Sequence, residues 1–427
     1  MSDKDELPDD WLRHITSWAF VHEKPKHLGV AVSGGGDSMA CLDLMLWHGR
    51  DQGFQVDAVT VNHGLRSEAK DEIALVSEYC RSRDVVHTTL NWEWEGKGNL
   101  QAKARDARYG LIAEWARGAG VDLVALGHTQ DDVAETFLMR LARQSGVDGL
   151  AHMGARFERD GVTWVRPMMN HRRADWRTYL ARHGVRWADD PSNEDETFER
   201  VKARKALKAL EPLGIDAETL TAVAHNMGSA KQALEHYVWQ EFHDFGEETH
   251  GELILPTDIA TRDHLIPREI SFRLVRKALM WVGGGEYPPR AEALTDMEVA
   301  LRENEHHTLG GCLVNRIPGK RRFEDRWRIT REYNAVKDVA SSTDGLWDGR
   351  WALDGPNAPD LEVRTLGEAV KDCPDWRETG LPRQSLLASP AIWRGNELIA
   401  APLAGLSNGW TASATGRGTF AQFLLSR

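Results

Sequence analysis

Ser33-Gly-Gly-Gly-Asp-Ser38 is the stretch whose residue types most directly suggest chemistry. Three consecutive glycines allow a tight turn and let a ligand approach the backbone. Asp37 and Ser38 stand where a helix would begin. Several backbone N–H groups and the positive end of that helix then aim at one point, which suits a phosphate. Two common phosphate loops are excluded. A Walker loop ends in Gly-Lys-Ser/Thr, whereas Gly36 is followed by Asp37; the dinucleotide fingerprint needs a third glycine where Met39 stands. The second informative stretch is His128-Thr-Gln-Asp-Asp-Val-Ala-Glu-Thr136. On a helix Asp132 and Glu135, three apart, share a face, while Asp131 leaves at another angle. Carboxylates beside a phosphate site can hold Mg²⁺ or an ammonium group. An acidic first turn that only complements the helix dipole is the plainer alternative. A zinc site at His128 is excluded, since no second His or Cys stands at ligand spacing.

Charge adds a third candidate region. The net charge of −12 argues mildly against a polyanionic partner. Yet Arg156, Arg159, Arg166, Arg172, Arg173, Arg177, Arg182 and Arg186 face only Glu158, Asp160 and Asp175 over that span, and Arg200 to Lys208 is basic without an acid. Such a stretch is either a solvated helix face or a site for a polyanion.

These candidates need elements to position them. His27–Ser33, Gln55–Asn62, Asp84–Asn91, Asp122–Gly127 and Gly161–Pro167 read as strands, with helices over Asp37–His48, Ser67–Arg83, Leu100–Arg117 and Ala174–His183. A leading helix is expected over Pro8–Phe20. The alternation predicts an α/β fold, a doubly wound five-stranded parallel sheet with right-handed crossovers. Ligands bind such sheets beyond the strands' C-terminal ends. The glycine loop, Asn62-His-Gly-Leu-Arg66 and His128–Glu135 all lie there. After Pro212 the alternation stops. We expect three domains: a catalytic domain over 1–211, a mainly helical one over 212–335 with a hairpin around Pro318-Gly319, and a small mixed domain over 336–427. A chain stopped near Ala340 is expected to stay folded. The acidic N-terminus lacks an apolar run, no stretch is long enough to span a membrane, and four scattered cysteines suit a reducing cytoplasm.

Taken together, Ser33–Ser38, Asn62–Arg66, Ala107-Arg-Tyr109, Gly127-His-x-x-Asp-Asp-x-x-Glu-Thr136, Ser145-Gly-x-x-Gly-Leu150, Arg166-Pro167 and Asp190-Pro-Ser-Asn193 resemble the tRNA(Ile)-lysidine synthetases, a family of the PP-loop ATP pyrophosphatase superfamily. Arg200-Val-Lys-Ala-Arg204 departs from the family's Arg-Asn-x-x-Arg, Gln144 from its Arg-Gly-Ser-Gly, and Thr129 from a frequent second histidine. The resemblance implies ATP and Mg²⁺, with an isoleucine tRNA bearing a CAU anticodon and L-lysine as partners. ATP would adenylate C2 of the wobble cytidine, and the ε-amine of lysine would then displace AMP. It assigns ATP to Ser33, Gly34, Gly35, Gly36, Asp37 and Ser38; Mg²⁺ to Asp37, Asp131 and Asp132; catalysis to Asp37, Asp132 and Glu135; and lysine or tRNA to Arg105, Arg108, His128, Arg200 and Arg204. In longer members of the family the C-terminal part grips the tRNA. No membrane is expected, and the sequence leaves a homodimer open. The alternative is another PP-loop pyrophosphatase, a tRNA-thiolating enzyme or an amidating synthetase. Thiolation usually needs reactive cysteines, and amidation needs an ammonia source whose motif is absent.

Overall fold

A computed structural model describes residues 20, 24–64, 69–94, 100–189, 199–256, 268–285, 287–303, 306–320 and 325–425. The leading helix expected over 8–20, Arg66 and the 190–193 element lie outside the described residues, apart from Phe20. The chain divides into two compact units, Met1–Lys231 and Gln232–Arg427.

In the first unit the apolar runs become β1 (His27–Ala31), β2 (Gln55–Asn62), β3 (His87–Asn91), β4 (Leu123–Leu126) and β6 (Val162–Val165), with β5 (Arg156–Arg159) before β6. The sheet order is β3-β2-β1-β4-β6-β5. All pairs are parallel except β5 with β6. The five expected parallel strands are present, and an antiparallel edge strand is added. Its turn is Asp160-Gly161, both at positive φ (54° and 71°), the conformation a two-residue hairpin requires. Helices α1 (Gly36–Gln52), α2 (Ala69–Ser82), α3 (Leu100–Ala119), α4 (Gln130–Ala142) and α5 (Arg173–Arg182) cover the sheet, and α6 (Glu199–Leu210) follows.

Two cores flank this sheet. Leu28, Val30, Leu42 and Met45 lie in one, on the α1 side with Trp176 and Tyr179 of α5. Val59, Val124, Ile112 and Trp164 lie in the other. Apolar residues on both faces explain why β1 and β4 read as continuous rather than alternating runs. The strand order reverses between β1 and β4, so the crevice for a ligand opens there. Buried Asp43 of α1 accepts the Tyr179 hydroxyl at 2.7 Å and also that of Tyr79. This bolts α5 and α2 to the helix that starts at the glycine loop.

In the second unit, α7 (Ala217–Phe245), which begins in the first, leads into β7 (Glu247–Thr249) and β8 (Glu252–Pro256). After α8 (Arg268–Gly283) and α9 (Ala291–Arg302) come β9 (His307–Leu309), β10 (Cys312–Ile317) and β11 (Arg326–Arg331). The β10–β11 hairpin pairs as expected. The region also holds a full sheet, β7-β8-β11-β10-β9, against which the helices pack. Six short strands follow, β12 (Ala340–Ser342), β13 (Trp351–Asp354), β14 (Glu362–Thr365), β15 (Pro390–Arg394), β16 (Glu397–Ala400) and β17 (Thr411–Ala414), then α10 (Phe420–Leu425). The chain's end crosses the expected division at 336: Phe420 is fully buried in the core of α8 and β8, edge-on to Phe242 at 4.7 Å. Among the described residues no helix is long and apolar enough to cross a membrane.

Candidate active site

The glycine loop leaves β1 with its hydrogen bonds turned inward. Ser38 Oγ donates to the Gly35 carbonyl at 2.9 Å and accepts the Ser33 N–H at 3.1 Å. Gly34 has φ of +89°, the left-handed region, and a Cβ there would also press on Glu72 at 3.1 Å. The N–H groups of Gly36, Asp37 and Ser38, in the first turn of α1, have no carbonyl to bond within the helix. They point outward at the positive end of the helix dipole, as an anion cradle does. Ala188 closes the loop from the side, its N–H donating to the Gly34 carbonyl at 2.9 Å. The β4 end is equally tight. A Cβ at Gly127 would stand 2.6 Å from the Asp37 carbonyl oxygen, so only glycine lets the two loops touch.

The carboxylates converge on one cation, Arg173, the first residue of α5. Its Nε donates to Asp37 at 2.8 Å and its Nη1 to Glu135 at 3.2 Å, while Nη2 stands 3.5 Å from Asp132. Asp131 faces the same residue differently, accepting its backbone N–H at 2.7 Å. Two further guanidiniums come from α6: Arg204 Nε donates to Glu135 at 2.9 Å, and Arg200 lies 3.6 Å from Asp132. Glu135 is 1 % exposed, and its Oε2 has no hydrogen-bond partner among the described residues. Asp132 also closes the start of α4, accepting the Thr129 N–H at 2.9 Å and its hydroxyl at 3.0 Å.

These neighbours set the charge states. Burial raises the Asp37 carboxyl above its ordinary value, and Arg173 only partly offsets it. Burial pushes Asp132 the same way, but Arg173, Arg200 and the Thr129 N–H together carry it below the ordinary value. His128 is pushed down to about 3, chiefly by burial, with Arg166, Arg200 and Arg108 adding to the effect and Asp132 opposing it. The imidazole is therefore neutral. Arg166 Nε, which can only donate, lies 3.2 Å from its Nδ1, so the ring proton sits on Nε2.

Beyond this cluster the wall is cationic. Arg105, Arg108 and Arg159 surround the buried Tyr109 ring at 5.7, 5.8 and 4.2 Å. Burial, with Arg105, Arg200 and Arg159 close by, lowers the Arg108 pKa. The whole forms one cleft of about 660 Å³, within the size range of small-ligand sites. The loop, Arg105, Arg108, His128, Asp132, Arg200 and Arg204 line it, with Val61, Ile73, Ile112 and Leu126 as apolar surface. Glu135 stands behind the wall, reached through Arg173 and Arg204.

The expected residues thus come together, and Asp131 is turned to the start of α5. Arg173, absent from the expected site, is its centre. One local signal pointed to it: Arg172 and Arg173 open a helix, where the dipole disfavours cations, so other partners must hold them. No group of three or more His, Cys, Asp and Glu side chains gathers as a metal cluster among the described residues. Mg²⁺ commonly takes one or two carboxylates and completes its shell with waters and phosphate oxygens. Asp37 and Asp132, both on the cleft beside the anion cradle, fit that requirement.

Comparison with known proteins decides the family. A PP-loop domain model matches residues 12–210. A tRNA(Ile)-lysidine synthase of Ruegeria pomeroyi is 47% identical over 406 residues, covering 94% of both chains. The chain belongs to the tRNA(Ile)-lysidine synthase family. The synthase of Wolbachia pipientis wMel is 32% identical over 79% of this chain and 78% of its own length, and that of Bradyrhizobium sp. BTAi1 is 36% identical over 67% and 87%. As a lysidine synthase family member, the chain is a ligase-type, ATP-using enzyme built on a PP-loop domain.

Proposed function

We propose that the chain joins lysine to C2 of the wobble cytidine, anticodon position 34, of an isoleucine tRNA with a CAU anticodon. The reaction consumes ATP, passes through an adenylated cytidine and releases AMP and pyrophosphate. Lysidine pairs with A instead of G, so the tRNA changes from Met to Ile in both codon and amino acid. The observation that carries this reading is the meeting of three recognition chemistries at one cleft: the Gly36–Ser38 anion cradle, the arginine wall, and Arg204 on the lining with its partner Glu135 directly behind it. They suit a nucleoside triphosphate, an RNA backbone, and an amino acid with opposite charges at its ends.

In the first step the C2 oxygen of cytidine attacks the α-phosphorus; that O–P bond forms as the bond to the β-phosphate oxygen breaks. The N–H groups of the loop receive the pyrophosphate, whose charge the helix dipole complements. Mg²⁺, held by Asp37 and Asp132, would neutralise phosphate charge there. Arg105 and Arg108 would meet phosphates of ATP or tRNA, and His128, a neutral donor on the cleft lining, would hydrogen-bond the substrate. In the second step the lysine ε-nitrogen attacks C2, the C2–O bond to AMP breaks, and the nitrogen loses its protons. A free lysine amine has a pKa of about 10.4, so a proton acceptor is needed. Glu135, reached once Arg204 moves aside, would hold the ammonium and then accept that proton through Oε2, which has no hydrogen-bond partner among the described residues. Arg200 or Arg204 pairs with the lysine carboxylate, as arginine does with two parallel bonds. The C-terminal region, with Arg350–Arg427, would grip the tRNA outside the anticodon, in the cytoplasm where tRNA is found.

A thiolating chemistry is disfavoured by the cysteines. Cys41 and Cys80 are buried, which pushes their thiols up to about 12 and about 11, and neither is a thiolate at neutral pH. The deciding experiment incubates the protein with ATP, labelled lysine and a CAU-anticodon isoleucine tRNA. Label is expected in the tRNA, with AMP and pyrophosphate formed in equal amounts. Pyrophosphate release that needs tRNA but transfers no lysine would overturn the reading.

A further inference from the structure

Arg173 belongs to a charge arrangement with a specific consequence for how ATP arrives. Asp37, Asp132 and Glu135 pair only with Arg173, Arg200 and Arg204 among the described ion pairs. Three carboxylates face three guanidiniums, so the cluster is balanced by the chain's own side chains. Arg173 supplies the centre, touching all three carboxylates with a side chain only 18% exposed. Its guanidinium is held against the unfavourable dipole of the helix it begins, and the Asp43–Tyr179 hydrogen bond fixes that helix to the one bearing Asp37.

A divalent cation that draws on both Asp37 and Asp132 competes with this fork, which already holds one oxygen of each carboxylate, at 2.8 and 3.5 Å. A nucleoside triphosphate alone meets the opposite difficulty, since the guanidinium nearest the anion cradle is already occupied by carboxylates. We propose that Arg173 is a resident counter-ion that exchanges partners when Mg²⁺ and ATP bind together: the metal takes over the Asp37 and Asp132 carboxylates, and the freed guanidinium pairs with the phosphates. Each ligand then makes room for the other, so their affinities are coupled, and by linkage the coupling is equal in both directions. The inference rests on the proposed use of Mg·ATP.

The test is Mn²⁺ binding to the full-length protein, read by electron paramagnetic resonance of the free ion, with and without a non-hydrolysable ATP analogue. For the unaltered protein, Mn²⁺ is expected to bind weakly alone and at least tenfold more tightly with the analogue. R173M should bind Mn²⁺ alone at least tenfold more tightly than the unaltered protein, and the analogue should then add little. R173K keeps the charge but not the planar fork; it should show the same change in smaller measure, and it decides the matter if R173M does not fold. Folded R173M, or failing that R173K, with Mn²⁺ affinity and coupling unchanged would overturn the role of Arg173. No Mn²⁺ binding by the unaltered protein even with the analogue would instead overturn the metal reading on which the inference stands.

Discussion

Arg204 Nε stands 2.9 Å from Glu135 Oε1, so the residues proposed for the two ends of a bound lysine are each other's partners. Lysine must therefore part them, its ammonium replacing one guanidinium and its carboxylate receiving the other. Replacing Glu135 with glutamine keeps the shape and removes the charge. A hydrogen bond to a charged group is worth about 1.5–3 kcal/mol, so E135Q should raise the lysine KM by about ten- to hundredfold. Adenylated tRNA should still form without lysine. A collapse of adenylation with lysine KM unchanged would move Glu135 out of the lysine site. Because Arg204 loses its partner in E135Q, the effects of E135Q and R204A on lysine KM should not add.

The loop makes a second prediction. D37A and S38A remove, respectively, a phosphate-side carboxylate and the hydroxyl that closes the turn onto the Gly35 carbonyl. Pyrophosphate release should fall at least a hundredfold while tRNA binding stays within a factor of a few. G127A should act the same way, since its Cβ would stand 2.6 Å from the Asp37 carbonyl oxygen. Near-normal adenylation by any of the three would separate this loop from ATP.

His128 makes a third, in stability. Its folded pKa, about 3, lies below the unfolded value of about 6.5. Between these values the unfolded chain binds the extra proton, so stability falls as pH falls through that window. One such group contributes a slope of up to about 1.4 kcal/mol per pH unit. H128Q should flatten the slope of unfolding free energy, measured by urea denaturation between pH 4.5 and 6.5. His48, His87 and His171, also lowered chiefly by burial, leave a residual slope. An identical slope in H128Q would refute the buried neutral imidazole.

The fourth concerns the second unit. Phe420 is fully buried against Phe242 and Trp281, and Arg417 donates to the Trp281 carbonyl at the end of α8. Cutting near Ala340 removes both, so the expectation that such a chain stays folded gives way to its opposite for residues 232–331. F420A alone should cost about 3–5 kcal/mol in that unit, seen in denaturant unfolding of the full chain. A loss below about 1 kcal/mol would show the final helix to be a peripheral attachment.

Much of the catalytic unit is readable from residues alone, and the exceptions have physical reasons. Val30 and Val124 sit in continuous apolar runs because their strands are covered on both faces. Arg156-Phe-Glu-Arg159 shows no such run, since an edge strand needs only one partner; its cue was the Asp160-Gly161 turn. His250-Gly251, also at positive φ, marks the β7–β8 hairpin in the same way. The loop, Asp132 and Glu135 were visible because their spacing is local. Arg173 was hidden among eight arginines, because what singles it out is the convergence of α1, α4 and α5, which no local pattern records.

All four cysteines, Cys41, Cys80, Cys312 and Cys373, are buried and unpaired. The folded chain therefore presents a silent background to maleimide dyes. A single cysteine placed at an exposed position such as Tyr287, 84% exposed in the second unit, and another at Val86, 57% exposed in the first, would carry a fluorophore pair without removing any native thiol. Energy transfer between them could then follow the two units on individual molecules as tRNA binds and leaves, using a chain otherwise unaltered.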